Sequence, residues 1–348
     1  MSSQNRVAYL DGLRGWGALT VLLYHLFVEI FPITPEASAL MYKLAPFNGT
    51  LAVFVFFIVS GFSLSIGFIR TGSRERLQQI LVGRYFRLVV PILLATLMVY
   101  AVAKFGLLAE NRMEASKHLL KALRFAVFDV FVDKSDPAAT PIPQLWTMPI
   151  ELGGSILVVA ILWIIGRRNI RYAAYALASI ALLWIYPPLL TFVIGILFAE
   201  LSAVKLPHWI RHACAASLAY ALIGAYFLPG HGGLNYIAVA AALTFAAAFT
   251  ETGRKLLSSR LSAFMGEISF PLYLLHGLVI WSYGAWIVTF THTRTTLLVA
   301  NLSTVLLALF IAWAFRGIDT MGIRCARLVS QRVASTRFAA TIAELGQK

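Results

Sequence analysis

The chain has 348 residues, 59% of them hydrophobic and only 13% charged, with a formal net charge of +14 and a mean hydropathy of +0.79. A soluble domain carries about 25% charged residues, so the composition excludes an ordinary water-soluble fold. Apolar runs of about 20 residues recur from end to end, the mark of an all-α integral membrane protein. The first run, "YLDGLRGWGALTVLLYHLFVEIF" at 9–31, is long, carries charges and has no small-residue cleavage site, so it reads as a retained signal anchor. Further spans are expected near 50–69, 88–108, 145–165, 172–186, 189–204, 213–228, 234–250, 268–290 and 296–315, giving a bundle of about ten transmembrane helices. The pair at 172–204, split by Pro187-Pro188, reads equally as a re-entrant hairpin, which would leave eight.

Most of the 29 lysines and arginines fall in alternate connections, among them Arg70, Arg74, Arg76, Arg84, Arg87, Arg167, Arg168, Arg171, Arg254, Lys255 and the residues after Arg316. Cytoplasmic loops are the ones enriched in Lys and Arg, so both termini are expected in the cytoplasm. Topology then accounts for the positive charge, and no nucleic-acid partner is expected. Residues 1–316 are read as one membrane domain. Residues 317–348, with Arg324, Arg327, Arg332 and Arg337 among apolar side chains, read either as an interfacial helix drawn to anionic lipid or as a solvated basic tail. In the long connection 109–144, Leu119, Leu120, Leu123, Val127 and Phe131 recur at helical spacing opposite Lys117, Lys121 and Arg124. That pattern is an amphipathic helix lying on the outer surface. Cys214 and Cys325 show no metal-ligand spacing, and neither a disulfide nor a metal site is expected.

Ionisable groups inside a span are expensive and rarely idle. At 100° and 1.5 Å per residue, Arg14 and His25 project within about 20° of each other and about 16 Å apart. Asp11 and Glu29 lie three before and four after them, on the same stripe. Ser60 falls mid-span in "VFFIVSGFSL", and Glu151 in "PQLWTMPIELGGS" is placed in the outer half. Ser269, Tyr273 and His276 of "SFPLYLLHG" share one helix face, while Arg84 and Arg87 sit three apart at a helix entrance, where planar guanidinium groups suit phosphate. The vertical order, phosphate-binding cations at the cytoplasmic end and acid–base groups above, suits transfer from a phosphorylated cytoplasmic donor. A proton-coupled transporter or flippase would use the same groups, as a polytopic scaffold would for packing alone.

"YLDGLRGWGALTVLLYH" resembles the opening signature of the acyltransferase-3 membrane enzymes, in which an Arg and a His are separated by ten residues; here these are Arg14 and His25. "FFIVSGF", "GRYFRLVVP", "LWTMPIE" and "SFPLYLLHG" follow in order, so the resemblance spans roughly residues 9 to 277. It implies a multi-pass O-acyltransferase of the stand-alone form, taking an acyl group, commonly acetyl, from acyl-CoA on the cytoplasmic side. The acceptor it implies is a hydroxyl on a glycan, a lipid-linked sugar or a small metabolite. The expected location is a bacterial cytoplasmic (inner) membrane. His25 is the expected base, with Glu151 ranked above Glu29 as its carboxylate. Arg14, Arg84, Arg87, Ser60, Tyr273 and His276 are expected to line the donor path. Gly153-Gly154-Ser155 and Pro271 depart from the family pattern, leaving the acceptor's size open and predicting a kink.

Overall fold

The computed structural model describes residues 7–109, 118–132, 140–228 and 232–334. Every regular element among them is helical. In chain order they are α1 (Ala8–Tyr24), continued by a π-helical turn His25–Ile30; α2 (Pro35–Tyr42); α3 (Gly49–Thr71); α4 (Arg74–Lys104); and α5 (Leu119–Arg124), continued through Val132. A 3₁₀ turn, Pro143–Thr147, leads into α6 (Met148–Ile165), followed by α7 (Arg171–Ile185), α8 (Leu190–Ser202), α9 (Ile210–Tyr226), α10 (Leu234–Phe249) and α11 (Glu251–Leu257). Then come α12 (Arg260–Val279), extended to Val288, α13 (Arg294–Ala314) and α14 (Gly317–Ala334).

Six helical stretches among the described residues are long and apolar enough to cross a bilayer: Ala8–Ile30, Gly49–Thr71, Arg74–Lys104, Pro143–Ile165, Arg260–Val288 and Arg294–Val333. A seventh arises if α10 and α11, bent by 88° at their junction, count as one span. The expectation of about ten is higher because α7, α8 and α9 form as helices but are short. At 1.5 Å per residue, 13 to 17 residues reach only about 20–26 Å against a hydrocarbon core of about 30 Å.

Close helix crossings hold the bundle. In lipid the apolar effect does not draw helices together, so small residues that let backbones approach carry the packing. Where α1 crosses α12, a Cβ on Gly15 would overlap the backbone of Met265 and Gly266, and one on Gly266 would stand 2.7 Å from the Asp11 carbonyl oxygen. This crossing holds Asp11 and Arg14 against α12. α14 runs antiparallel along the first half of α4: Gly322 meets the Arg87 carbonyl and Pro91, and Ser330 meets Gly83 and the Gln79 carbonyl. Of the residues 317–348 read together in the sequence, Gly317–Ala334 form a helix, and its packing along α4 is a feature the sequence reading did not include.

The helix expected on the outer surface is placed differently. Ala122, Phe125, Ala126, Val130 and Phe131 are the buried side chains, while Leu119, Leu120 and Val127 are exposed. The buried face already differs in α5, at Ala122, and continues through the π-helical turn Phe125–Asp129. The Tyr85 hydroxyl donates to the Val127 carbonyl at 2.7 Å. Tyr85 lies 19 residues before Lys104, about 28 Å along α4, so this segment dips beside the bundle instead of resting on its end. Lys117 and Arg337, which belong to the sequence readings, lie outside the described residues.

Candidate active site

Six helices and the 3₁₀ turn converge on a cavity of about 130 Å³. Its polar lining comprises Asp11 and Arg14 from α1, Ser60 from α3, Arg84 and Arg87 from α4, Thr147 and Glu151, Ser269 and Tyr273 from α12, and Asp319 from α14. Ser60 is the midpoint of α3, about 16 Å from either end, which places the cavity at mid-depth of that span.

The charged groups are organised by short contacts. The Ser60 hydroxyl donates to Glu151 Oε1 at 2.6 Å, and Arg84 Nη2 donates to the same oxygen. Arg84 Nε donates to the Ser155 hydroxyl at 2.8 Å. Ser155 lies one helical turn beyond Glu151, so one face of α6 binds Arg84 twice. Gly154 packs against the Phe192 ring, which a Cβ would penetrate, so at this position the small residue serves tight helix packing. Arg14 Nη1 donates to Asp11 at 3.0 Å and its Nη2 to Ser63 at 2.9 Å. Among the described residues Arg87 makes no ion pair with a carboxylate.

Two expectations are corrected here. Arg84 was placed at the inner surface and Glu151 in the outer half, yet they are in contact. The reason lies in the segment before α6: Ile142, Gln144, Leu145 and Thr147 are buried, so the chain has already entered the bundle when α6 begins. The second correction concerns His25. Its carboxylate is Glu29, hydrogen-bonded to Nδ1, and not Glu151, which is held by Arg84 and Ser60.

His25 lies outside the cavity wall. Its ring stacks on that of His276, with centroids 5.3 Å apart and planes at 21°. His276 is buried, its Nδ1 donates to the Leu272 carbonyl at 3.0 Å, and its Nε2 has no hydrogen-bond partner among the described residues. Carboxylate and carbonyl oxygens only accept, so neutral His25 and neutral His276 each carry their proton on Nδ1 and keep a lone pair on Nε2. His276 was expected along the donor path with Ser60 and Tyr273; the structure puts it with His25 instead.

An aromatic layer lies between the two clusters. Phe56 sits over Gly17, between Arg14 and His25 on α1, and its ring meets that of Tyr273 at 5.9 Å. The Tyr273 ring lies 6.2 Å from that of His276. Its hydroxyl donates to the Gln144 carbonyl at 2.6 Å and lies 2.7 Å from the Thr147 hydroxyl. Gln144 in turn donates to the Leu274 carbonyl at 3.2 Å. The 3₁₀ turn is thereby latched to α12.

Sequence reasoning missed Ser63, Ser155, Phe56 and Asp319. The two serines carried a signal: Ser63 is three residues after Ser60 and Ser155 four after Glu151, each on the same helix face as its neighbour. Asp319 carried none, since only the tertiary fold brings α14 to the cavity.

The acyltransferase domain family model matches residues 7–317, and the chain belongs to that family. No curated protein and no solved structure matches it. Family membership and the apolar helices together mark a multi-pass membrane acyltransferase; they lend nothing to the transporter or flippase.

Proposed function

We propose that this family member is an O-acyltransferase that moves an acyl group, commonly acetyl, from acyl-CoA to a hydroxyl on a glycan, lipid-linked sugar or small metabolite. One observation carries the reading: the family's motif residues Arg14, Ser60, Arg84, Arg87, Glu151 and Tyr273, drawn from five helices and 260 positions of sequence, line a single cavity. Arg87, without a carboxylate partner among the described residues, and Arg84 supply the charge that neutralises donor phosphate. We place this side of the bundle, with both termini, in the cytoplasm of a bacterial inner membrane, as the Lys/Arg distribution supports.

His25 is the proposed base. Glu29 fixes its tautomer, leaving Nε2 to take the proton of the acceptor hydroxyl. The acceptor oxygen attacks the thioester carbonyl carbon, the C–S bond breaks, and the imidazolium proton passes to the departing thiolate. Glu29 stabilises the imidazolium in between. The thioester meets His25 by passing the Phe56–Tyr273 layer, with Glu151 holding Arg84 and Ser60 in place on the donor side. The test is transfer from acetyl-CoA by the purified protein, with glycans and lipids compared by mass spectrometry from cells with and without it. An acetylated product that disappears with His25→Ala supports the reading. Donor turnover and product profiles indifferent to the protein refute it.

A further inference from the structure

Arg84 and Arg87 have a second outlook. They also line a cavity of about 380 Å³ enclosed by α3, α4 and α14, to which Arg70, Arg76 and Arg327 add their guanidinium groups. Among the described residues no carboxylate lines it, and Arg70, Arg76, Arg87 and Arg327 make no ion pair. Five cations around one hollow repel one another, an arrangement that a bound polyanion relieves. Charge that serves topology alone needs only to lie in a cytoplasmic loop. Arg76, however, is half-buried and laid across α3 at Gly67, where an added Cβ would stand 3.0 Å from its Nη1. Ser330 and Gln331 add hydrogen-bonding groups, and Ile323 an apolar side.

We infer that this second cavity binds the 3′-phosphorylated adenosine end of the donor, with Arg76 and Arg327 on the 3′-phosphate, and that α14 is a wall of the donor site. Because Arg84 and Arg87 belong to both cavities, a long ligand lies with its diphosphate between them and its thioester toward Ser60 and Tyr273. The inference rests on the acyl-CoA reading. It also goes beyond the family match, which ends at residue 317; Arg327 and Ser330 lie past it. An anionic lipid headgroup offers the same phosphate chemistry, so the test separates the two sources.

The experiment measures binding of coenzyme A and of 3′-dephospho-coenzyme A to the full chain in zwitterionic-lipid nanodiscs, then with anionic lipid added. Wild type should prefer coenzyme A by about ten- to a hundredfold, the worth of one or more charge-assisted phosphate contacts. Arg76→Ala and Arg327→Ala should each reduce that preference while leaving dephospho-coenzyme A binding unchanged, which also shows that the variants are folded. Arg324→Ala, on α14 but outside the cavity wall, should keep it. Equal wild-type affinity for both ligands overturns the inference, as does a preference that survives both substitutions. So does displacement of coenzyme A by anionic lipid in wild type but not in Arg327→Ala, the signature of a headgroup site. Wild type that binds neither ligand refutes the donor reading itself.

Discussion

Replacing Glu151 by Gln separates a carboxylate that does chemistry from one that holds an arginine. The Arg84 and Glu151 side chains are only 12% and 11% exposed. After the substitution Arg84 keeps Ser155 at 2.8 Å but loses its counter-charge. Breaking a buried pair by removing one partner costs about 3–5 kcal/mol, because the remaining charge is left uncompensated. Arg84→Met should lose a comparable amount by stranding Glu151, whose other partner is the Ser60 hydroxyl at 2.6 Å. The double variant Arg84→Met/Glu151→Gln removes both charges and should be no less stable than either single variant, which requires a coupling energy of about 3 kcal/mol or more, the upper end for residues in contact. The assay is reversible unfolding of the four proteins in mixed micelles, run as a double-mutant cycle. Additive single losses, or a Glu151→Gln protein as stable as wild type, would show that the pair contributes nothing and free Glu151 for an acid–base role.

His25→Ala should lower transfer by at least about a hundredfold, the low end of general-base contributions, without altering insertion; near-normal turnover removes His25 from the chemistry. Glu29→Gln keeps an acceptor for the His25 Nδ1 proton but loses the charge opposite the imidazolium. Because Glu29 is half exposed, the loss should be about five- to tenfold and should appear in kcat with stability unchanged. Arg87→Ala should weaken donor binding by about ten- to a hundredfold, with Arg87→Lys intermediate. Arg14→Ala should do less, since Asp11 and Ser63 already hold Arg14; equal effects in equilibrium binding would contradict this order. Single cysteines at Ser73 and Arg168 should label only after permeabilisation and ones at Glu36 and His292 from outside, the reverse pattern inverting the topology. The corresponding outer positions Glu110 and Gly230 lie outside the described residues.

Local spacing made part of this site legible. Asp11–Arg14 and His25–Glu29 are three and four residues apart on one stripe, and both pairs form; helical periodicity suffices for contacts that close within one turn. Contacts between helices were another matter. Arg84 and Glu151 are 67 residues apart, and their assigned depths depended on where α6 enters the membrane. Hydropathy marks the apolar run but not the buried 3₁₀ turn before it, whose Gln144 and Thr147 look like surface loop until α12 supplies their partners. The shortness of α7, α8 and α9 was legible, since the runs marked at 172–186, 189–204 and 213–228 are only 15, 16 and 16 residues long; counting each as a full span is what raised the total to ten. α14 was readable as a basic amphipathic helix, but amphipathicity alone does not say whether the apolar face meets lipid or protein.

The Phe56–Tyr273 layer also has an electrical side. A membrane potential works on each translocated elementary charge with about 2.3 kcal/mol per 100 mV. A bundle with arginines in one recess and imidazoles in another would short that potential if a file of water joined them. The two rings, one packed on Gly17 and the other pinned to Gln144 and Thr147, stand between the arginines and the imidazoles, so a file of water and a passing thioester meet the same barrier. On the proposed reading, a side chain placed there answers to the membrane potential as well as to the passage of the thioester.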